Sequence, residues 1–197
     1  FERKLKKSKM PYYSVDALIE IGKTISAMIL SHYGLSKKVF ILDCDNTMWN
    51  GVIGEDDNEI FFSNKDTKKD YFLYLTALLK RLKAKGVLLA ICSKNNFNDV
   101  KKFFKKNKKY LLNFDDFIAK KINWELKSKN ILEISKELKL GTGSFIFLDD
   151  SKHEINEVKT AIKDIDCFLV PQNLEDYKKT LMNIYKYFNY STFNTGE

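Results

Sequence analysis

The chain has 197 residues, the length of one ordinary domain, and is 44% hydrophobic and 30% charged with 8 Gly and 2 Pro. That balance excludes disordered, collagen-like and linker-type sequences, and no apolar run approaches the ~18 residues that a membrane-spanning helix needs, so no membrane role is expected. Lys and Arg number 34 against 26 Asp and Glu, a formal +8, yet only Arg3 and Arg81 are arginines; base readers depend on the bidentate Arg fork, so the surplus argues against nucleic acid and for phosphorylated substrates or an acidic partner.

Hydrophobic periodicity predicts the elements in order. Ser14 caps a helix over 14–33 whose apolar face is Leu18, Ile21, Ile25, Met28 and Ile29. The β-branched apolar run 39–42 is a buried strand. Residues 47–63 place Gly51, Gly54 and an acidic turn between two apolar pairs, the pattern of a small hairpin flap. A helix over 66–85 stops at Gly86, a second strand covers 87–92, and a lysine-rich helix covers 98–108. Only a short strand is predicted at 117–118. A helix at 128–139, a strand at 145–148, a helix reaching 163, a strand at 167–170 and a last helix at 174–188 complete the series. Strands separated by helices of this length predict an α/β fold, a Rossmann-like parallel sheet with helices on both faces. The predicted division is an N-terminal helical extension at 1–37, a catalytic domain at 38–190 and a tail at 191–197.

Ligands of such sheets bind beyond the carboxyl ends of the strands. Those positions hold Asp43, Asp45 and Thr47 after the first strand, and Ser93, Lys94 and Asn95 after the second. Lys127 opens a helix, and Asp149 with Asp150 follows the fourth strand. Carboxylates converging from two strands make a hard-oxygen site suited to Mg²⁺, with Asp43, Asp45, Asp149 and Asp150 as the candidate metal group. Ser93, Lys94, Asn95 and Thr47 are candidates for binding substrate, and Lys127 for neutralising charge on a transferred phosphoryl group. Asp43 is placed to attack phosphorus, with Asp45 as acid and base. A lone Asp-x-Asp-x-Thr is also what a strand-to-turn junction yields; the coincidence of four such signals at strand ends and helix starts is what points to chemistry.

Those four strings carry a resemblance. Asp43-Cys44-Asp45-Asn46-Thr47 with the glycines that follow, Cys92-Ser93-Lys94-Asn95-Asn96, Asn123-Trp124-Glu125-Leu126-Lys127-Ser128 and Phe147-Leu148-Asp149-Asp150 resemble the motifs of the haloacid dehalogenase (HAD) superfamily, and within it the FkbH-like (HAD-IIIC) subfamily. The resemblance implies a HAD core with a small hairpin flap, and a Mg²⁺-dependent phosphatase or phosphotransferase that forms an aspartyl-phosphate on Asp43, with Asp45 as acid and base and its backbone carbonyl on the metal; the short spacings between the four strings leave no room for a cap domain. It also implies, for some members, loading of a glyceryl group from a phosphorylated donor such as 1,3-bisphosphoglycerate onto an acyl carrier protein. For such a step Cys92 is the candidate thiol nucleophile. Where the subfamily continues its fourth motif with Asn-Pro, this chain has Ser151-Lys152-His153, which bears on substrate contacts. A catalytically silent binding domain is the alternative of another class.

Three further features are read more plainly. The cysteines Cys44, Cys92 and Cys167 are odd in number and lie in or beside apolar runs, which predicts free thiols and a reducing, cytoplasmic setting. The lysine run at 101–109 reads as a solvated helix face over a Phe103-Phe104 pair turned to the core. The chain opens on Phe1 without a signal-peptide pattern and reads as part of a longer protein.

Overall fold

The computed structural model describes residues 13–33, 36–54, 69–109 and 111–189. In chain order the elements are α1 (Val15–His32), β1 (Val39–Leu42), α2 (Lys69–Ala84), β2 (Leu88–Ser93), α3 (Phe97–Lys106), β3 (Phe117–Ile122), α4 (Lys127–Leu138), β4 (Phe145–Asp149), α5 (Lys152–Ala161), β5 (Asp166–Leu169) and α6 (Leu174–Asn189). Single-turn 3₁₀ segments, Phe114–Asp116 and Thr142–Ser144, lead into β3 and β4. The five strands are all parallel in the order β3-β2-β1-β4-β5, so β1 is central and the chain reverses its direction of winding beside it.

Strand alternation divides the core in two. Phe40, Leu42, Leu89, Ile91, Ile146 and Leu148 point to one face, where α2, α3 and α6 cover them through Leu75, Phe104 and Ile184. Val39, Ile41, Ala90, Cys92, Phe145 and Phe147 point to the other, under Ile131 and Ile134 of α4 and Ile155 and Val158 of α5. Because both faces are covered, the strands read as unbroken apolar runs.

Three differences from the sequence expectation have physical causes. β3 is six residues long and not two, because Lys120 and Lys121 continue it along the sheet edge, where a lysine can pair along the strand and reach solvent. Lys121 does so against Glu133 and Glu137 of α4. The end of α4 is set by Lys139 in the left-handed region (φ 54°), so the helix stops at Leu138, one residue short of the expected 139. Along α1, Leu18, Ile21, Ile25, Met28 and Ile29 are exposed instead of being turned to a core. The hairpin flap expected over 47–63 lies outside the described residues from 55 on, as do most of the extension before α1 and the tail. Between β2 and α4 lie only α3, the 3₁₀ turn and β3, so nothing the size of a cap is inserted there.

This layering gives a stability prediction. Phe147 is fully buried on a strand flanked by two others, so Phe147→Ala should cost about 3–5 kcal/mol in urea unfolding. Ile118→Ala, at an exposed position of the edge strand, should stay within about 0.5 kcal/mol of the parent protein.

Candidate active site

The carboxyl end of β1 anchors the site. The Asp43 amide donates to the Leu148 carbonyl at 3.0 Å, extending the β1–β4 pairing by one residue and placing Asp43 beside the end of β4. Past it the chain turns tightly: the amides of Thr47 and Met48 both donate to the Cys44 carbonyl, at 3.2 and 2.8 Å. Asn46 adopts a positive φ of 53° within this turn, and its side-chain oxygen accepts from the Gly51 amide at 2.9 Å. A conformation that costs most residues is tolerated by Asn, whose side chain bonds locally to backbone.

Lys127, the first residue of α4, is buried with its ammonium donating to Asp43 Oδ1 at 2.8 Å and to Asp149 Oδ2. Burial works against that charge, but Asp43 and then Asp149 outweigh it and hold the ammonium above the usual lysine range. Burial, reinforced by the charge of Asp43, pushes the Asp149 carboxyl up, while Lys127 offsets part of the shift. Carboxylate oxygens of Asp43, Asp149 and Asp150 lie within 4.8 Å of one another. Three acidic groups against one ammonium is an all-oxygen donor set with negative charge to spare, and it fits a hard divalent cation such as Mg²⁺.

Asp45 is held differently. Its Oδ1 accepts from the Trp49 indole at 2.9 Å and the Ile53 amide at 3.4 Å, and its Oδ2 from Asn95 Nδ2 at 2.7 Å. Burial nevertheless raises its pKa to about 6. The sequence expectation gives the Asp45 side chain the acid and base role and brings its backbone carbonyl to the metal. In the structure that side chain is turned to Trp49 and Asn95, and the acidic group that comes together is Asp43, Asp149 and Asp150.

The remaining candidates divide between the site and its supports. Ser93 is buried at the end of β2, where its side chain offsets part of the burial-driven rise in the Cys44 thiol pKa. Lys94 pairs with Glu154 of α5 at 2.7 Å, and Asn95 braces Asp45. Thr47 is fully buried inside the turn, and its hydroxyl has no hydrogen-bond partner among the described residues. Cys92 faces the α4–α5 side of the sheet, where its thiol donates to the Lys127 carbonyl at 3.7 Å. Burial pushes its pKa far up, so the inert thiol and not the thiolate is its stable form.

Sequence reasoning missed the groups that hold these side chains. Trp49 is fully buried against Phe103 and Phe104, with ring centroids 4.5 and 5.8 Å away, and this packing aims its indole N–H at Asp45. Asn123 and Asn130 exchange reciprocal side-chain bonds of 3.1 and 2.8 Å, and the Asn123 amide donates to the Ser93 carbonyl. That clasp fixes the turn delivering Lys127. Neither is visible from spacing along the chain, although the nearness of Trp49 to Asp45 was the available hint.

Comparison with known proteins places this geometry. No family model matches the chain, and no curated protein matches it in sequence. Among solved structures, it is similar to the N-terminal part of the Bacteroides fragilis protein BF1531, which contains a phosphatase domain and is complexed with Mg. The two share 34% identity with a TM-score of 0.73 over 88% of this chain, which spans about half (46%) of that structure. The cobalt-bound deoxy-D-mannose-octulosonate 8-phosphate phosphatase of Haemophilus influenzae aligns with a TM-score of 0.52 at 12% identity, covering 82% of this chain and 95% of the other. A HAD family enzyme of Bacteroides thetaiotaomicron gives 0.51 at 15%, covering 74% and 98%. The parallel five-stranded sheet with its helices thus belongs to a shared architecture: the chain has the fold of the haloacid dehalogenase superfamily hydrolases.

Proposed function

We propose that the chain is a Mg²⁺-dependent phosphatase or phosphotransferase domain of FkbH-like type that works through an aspartyl-phosphate on Asp43. The observation that carries this reading is the buried ammonium of Lys127 held between Asp43 and Asp149 at the ends of adjacent strands. A phosphoryl group brought to Asp43 meets a fixed positive charge without reorganisation, which is what transfer of a dianionic group requires.

In this mechanism an Asp43 carboxylate oxygen forms a bond to phosphorus while the bond from phosphorus to the leaving oxygen breaks. Asp45 gives its proton to that oxygen. Its pKa of about 6 keeps a useful fraction protonated near neutrality, and the bonds from Trp49 and Asn95 fix its direction. Asp45 then takes a proton from water as the water oxygen attacks phosphorus, releasing inorganic phosphate and restoring Asp43. Ser93 and Lys127 hold the phosphoryl oxygens, with Thr47 buried in the supporting turn. Lys94 and Asn95 position the strand end around them. Asp43, Asp149 and Asp150 would hold Mg²⁺, which supplies charge neutralisation and orientation of the phosphate when bound.

With no cap-sized insertion between β2 and α4, the site suits a phosphorylated group carried on a larger molecule. Glyceryl transfer onto an acyl carrier protein, the further activity implied by the FkbH-like motifs, would require a reactive thiol. The Cys92 thiol is buried and bonded to a backbone carbonyl, which favours phosphate release as this chain's own step.

Two predictions follow this chemistry. With 1,3-bisphosphoglycerate, Mg²⁺ and an acyl carrier protein, phosphate should appear without a glyceryl-thioester mass on the carrier. Asp43→Asn or excess chelator should lower the release rate by about a thousandfold or more; unchanged rates in either case would refute the mechanism. The second concerns pH in metal-free protein. Asp45 has a folded pKa above its unfolded value of 3.8, so the native state binds more protons than the unfolded state between the two values, and native stability from this group is lost as pH rises from about 4 to about 6. Asp45→Asn cannot pay that cost. The stability of the variant relative to the parent should therefore increase across this window, as read by urea unfolding at a series of pH values; a constant difference would show that Asp45 is not perturbed.

A further inference from the structure

The lysine run on α3 faces water, as the sequence predicts, and it also lines a surface cavity. Phe103 and Phe104 are buried, as the sequence predicts, but Lys101, Lys102 and Lys105 of α3 and Lys108 beyond its end line a cavity of about 480 Å³, within the size range of small-molecule sites. The opposite wall is the segment of the first 3₁₀ turn, with Asn113, Phe114 and Asp115. Asn98, in the first turn of α3, closes one end. None of the carboxylates at the ends of β1 and β4 belongs to this cavity, so its ligand is a matter separate from the phosphoryl site.

The charge pattern here differs from that of the other helices. Lys129 pairs with Glu125 at 2.9 Å, Lys179 with Glu175 at 2.7 Å, and Lys121 with Glu133 and Glu137. In the cavity, only Lys102 has an ion pair among the described residues, to Asp99 at an open 3.6 Å, and Lys101, Lys105 and Lys108 have none. Lys101 and Lys105 are one turn apart, an arrangement that destabilises a helix by about 0.2–0.5 kcal/mol per like pair. The cavity thus gathers four exposed ammonium groups against two carboxylates, Asp115 in its lining and Asp99 beside Lys102, so that the fields of the cations add there.

The cavity also has a defined apolar side. The Phe114 ring is half-buried, edged by Phe97 at 5.6 Å and by Phe104 at 5.3 Å, so it is held in place and not free to fold away. Ammonium groups and asparagine amides donate hydrogen bonds to phosphate oxygens, and a fixed aromatic ring covers the uncharged part of a ligand. We propose that this cavity binds a small, multiply phosphorylated anion of the nucleoside-polyphosphate class, with phosphates on Lys101, Lys105 and Lys108 and the apolar part against Phe114.

Calorimetry of the whole chain in chelator tests this with pyrophosphate, ATP and a short poly-glutamate peptide as probes. Pyrophosphate and ATP should bind, ATP the more tightly, with affinity falling as salt rises. Lys101→Glu/Lys105→Glu should weaken both by at least about tenfold, because attraction at two positions becomes repulsion. Lys108→Glu, which lies outside the helix, should weaken both without any change in α3. Phe114→Ala should abolish the preference for ATP over pyrophosphate. Circular dichroism of each variant checks that the fold is kept. The lysine variants should release phosphate at the parental rate, and the binding result stands whether or not Asp43 chemistry is found. Absence of pyrophosphate and ATP binding at millimolar concentration, equal binding by the lysine variants, or tighter binding of the peptide than of pyrophosphate would overturn the proposal.

Discussion

The site depends on one buried ammonium. Asp43 and Asp149 stand at the ends of neighbouring parallel strands, so the register that joins β1 to β4 forces two carboxylates together away from water. Like charges so placed cannot both stay ionised without a counter-charge, and removing them from water costs several kcal/mol per ion before any pairing. Lys127 provides that counter-charge from the opposite side, at the start of a helix that reaches the site only because the turn before it is clasped by Asn123 and Asn130. One ammonium does not neutralise three acids. The charge left over is the physical reason the group suits a divalent cation and a phosphoryl group together better than either one alone.

The sheet supplies rigidity of a kind that a loop could not. Every strand near the site is buried on both faces, and the central strand pairs on both edges, so Asp43 has no freedom to relax away from Asp149. The Asp45 side chain, two residues farther along, is past the end of the ladder and must be fixed by other means. Trp49 does this by packing its ring into the core beside Phe103 and aiming its single donor at the carboxylate. The same hydrophobic cluster that seats α3 on the sheet therefore also orients an acidic group of the site, so a packing change near Phe103 reaches the chemistry through one hydrogen bond.

Much of this was legible in the sequence because parallel strands announce themselves as short apolar runs and expose their next residues as a set. Asp43, Ser93 and Asp149 could be placed at one edge from the runs at 39–42, 87–92 and 145–148 alone. The part that was not legible depends on three-dimensional register. β3 was shortened on paper because Lys120 and Lys121 break the apolar pattern, and only its edge position explains why lysines are tolerated there. The direction of the Asp45 side chain was equally hidden: spacing puts it near Asp43, but the donors that turn it away come from Trp49 and from Asn95 on a different strand. α1 shows the converse limit. Its sequence pattern specifies an apolar stripe, and a stripe by itself does not say what it packs against.

The net charge acquires a different meaning once it is resolved by position. A formal +8 spread evenly would be a statement about solubility and general attraction for anions. Among the described residues, three groups of cations have different physics. Lys127 is buried and spends its charge on two carboxylates. Lysines such as Lys94, Lys121, Lys129 and Lys179 are paired at or near the surface, where each pair contributes little to stability and little to the field. The stripe on α3 is exposed, and apart from the Lys102–Asp99 pair its cavity-lining ammonium groups have no ion pair among the described residues. Positive charge is therefore gathered where few acids pair with it, and that local excess, more than the overall surplus, is what the proposed phosphate-bearing ligand would meet.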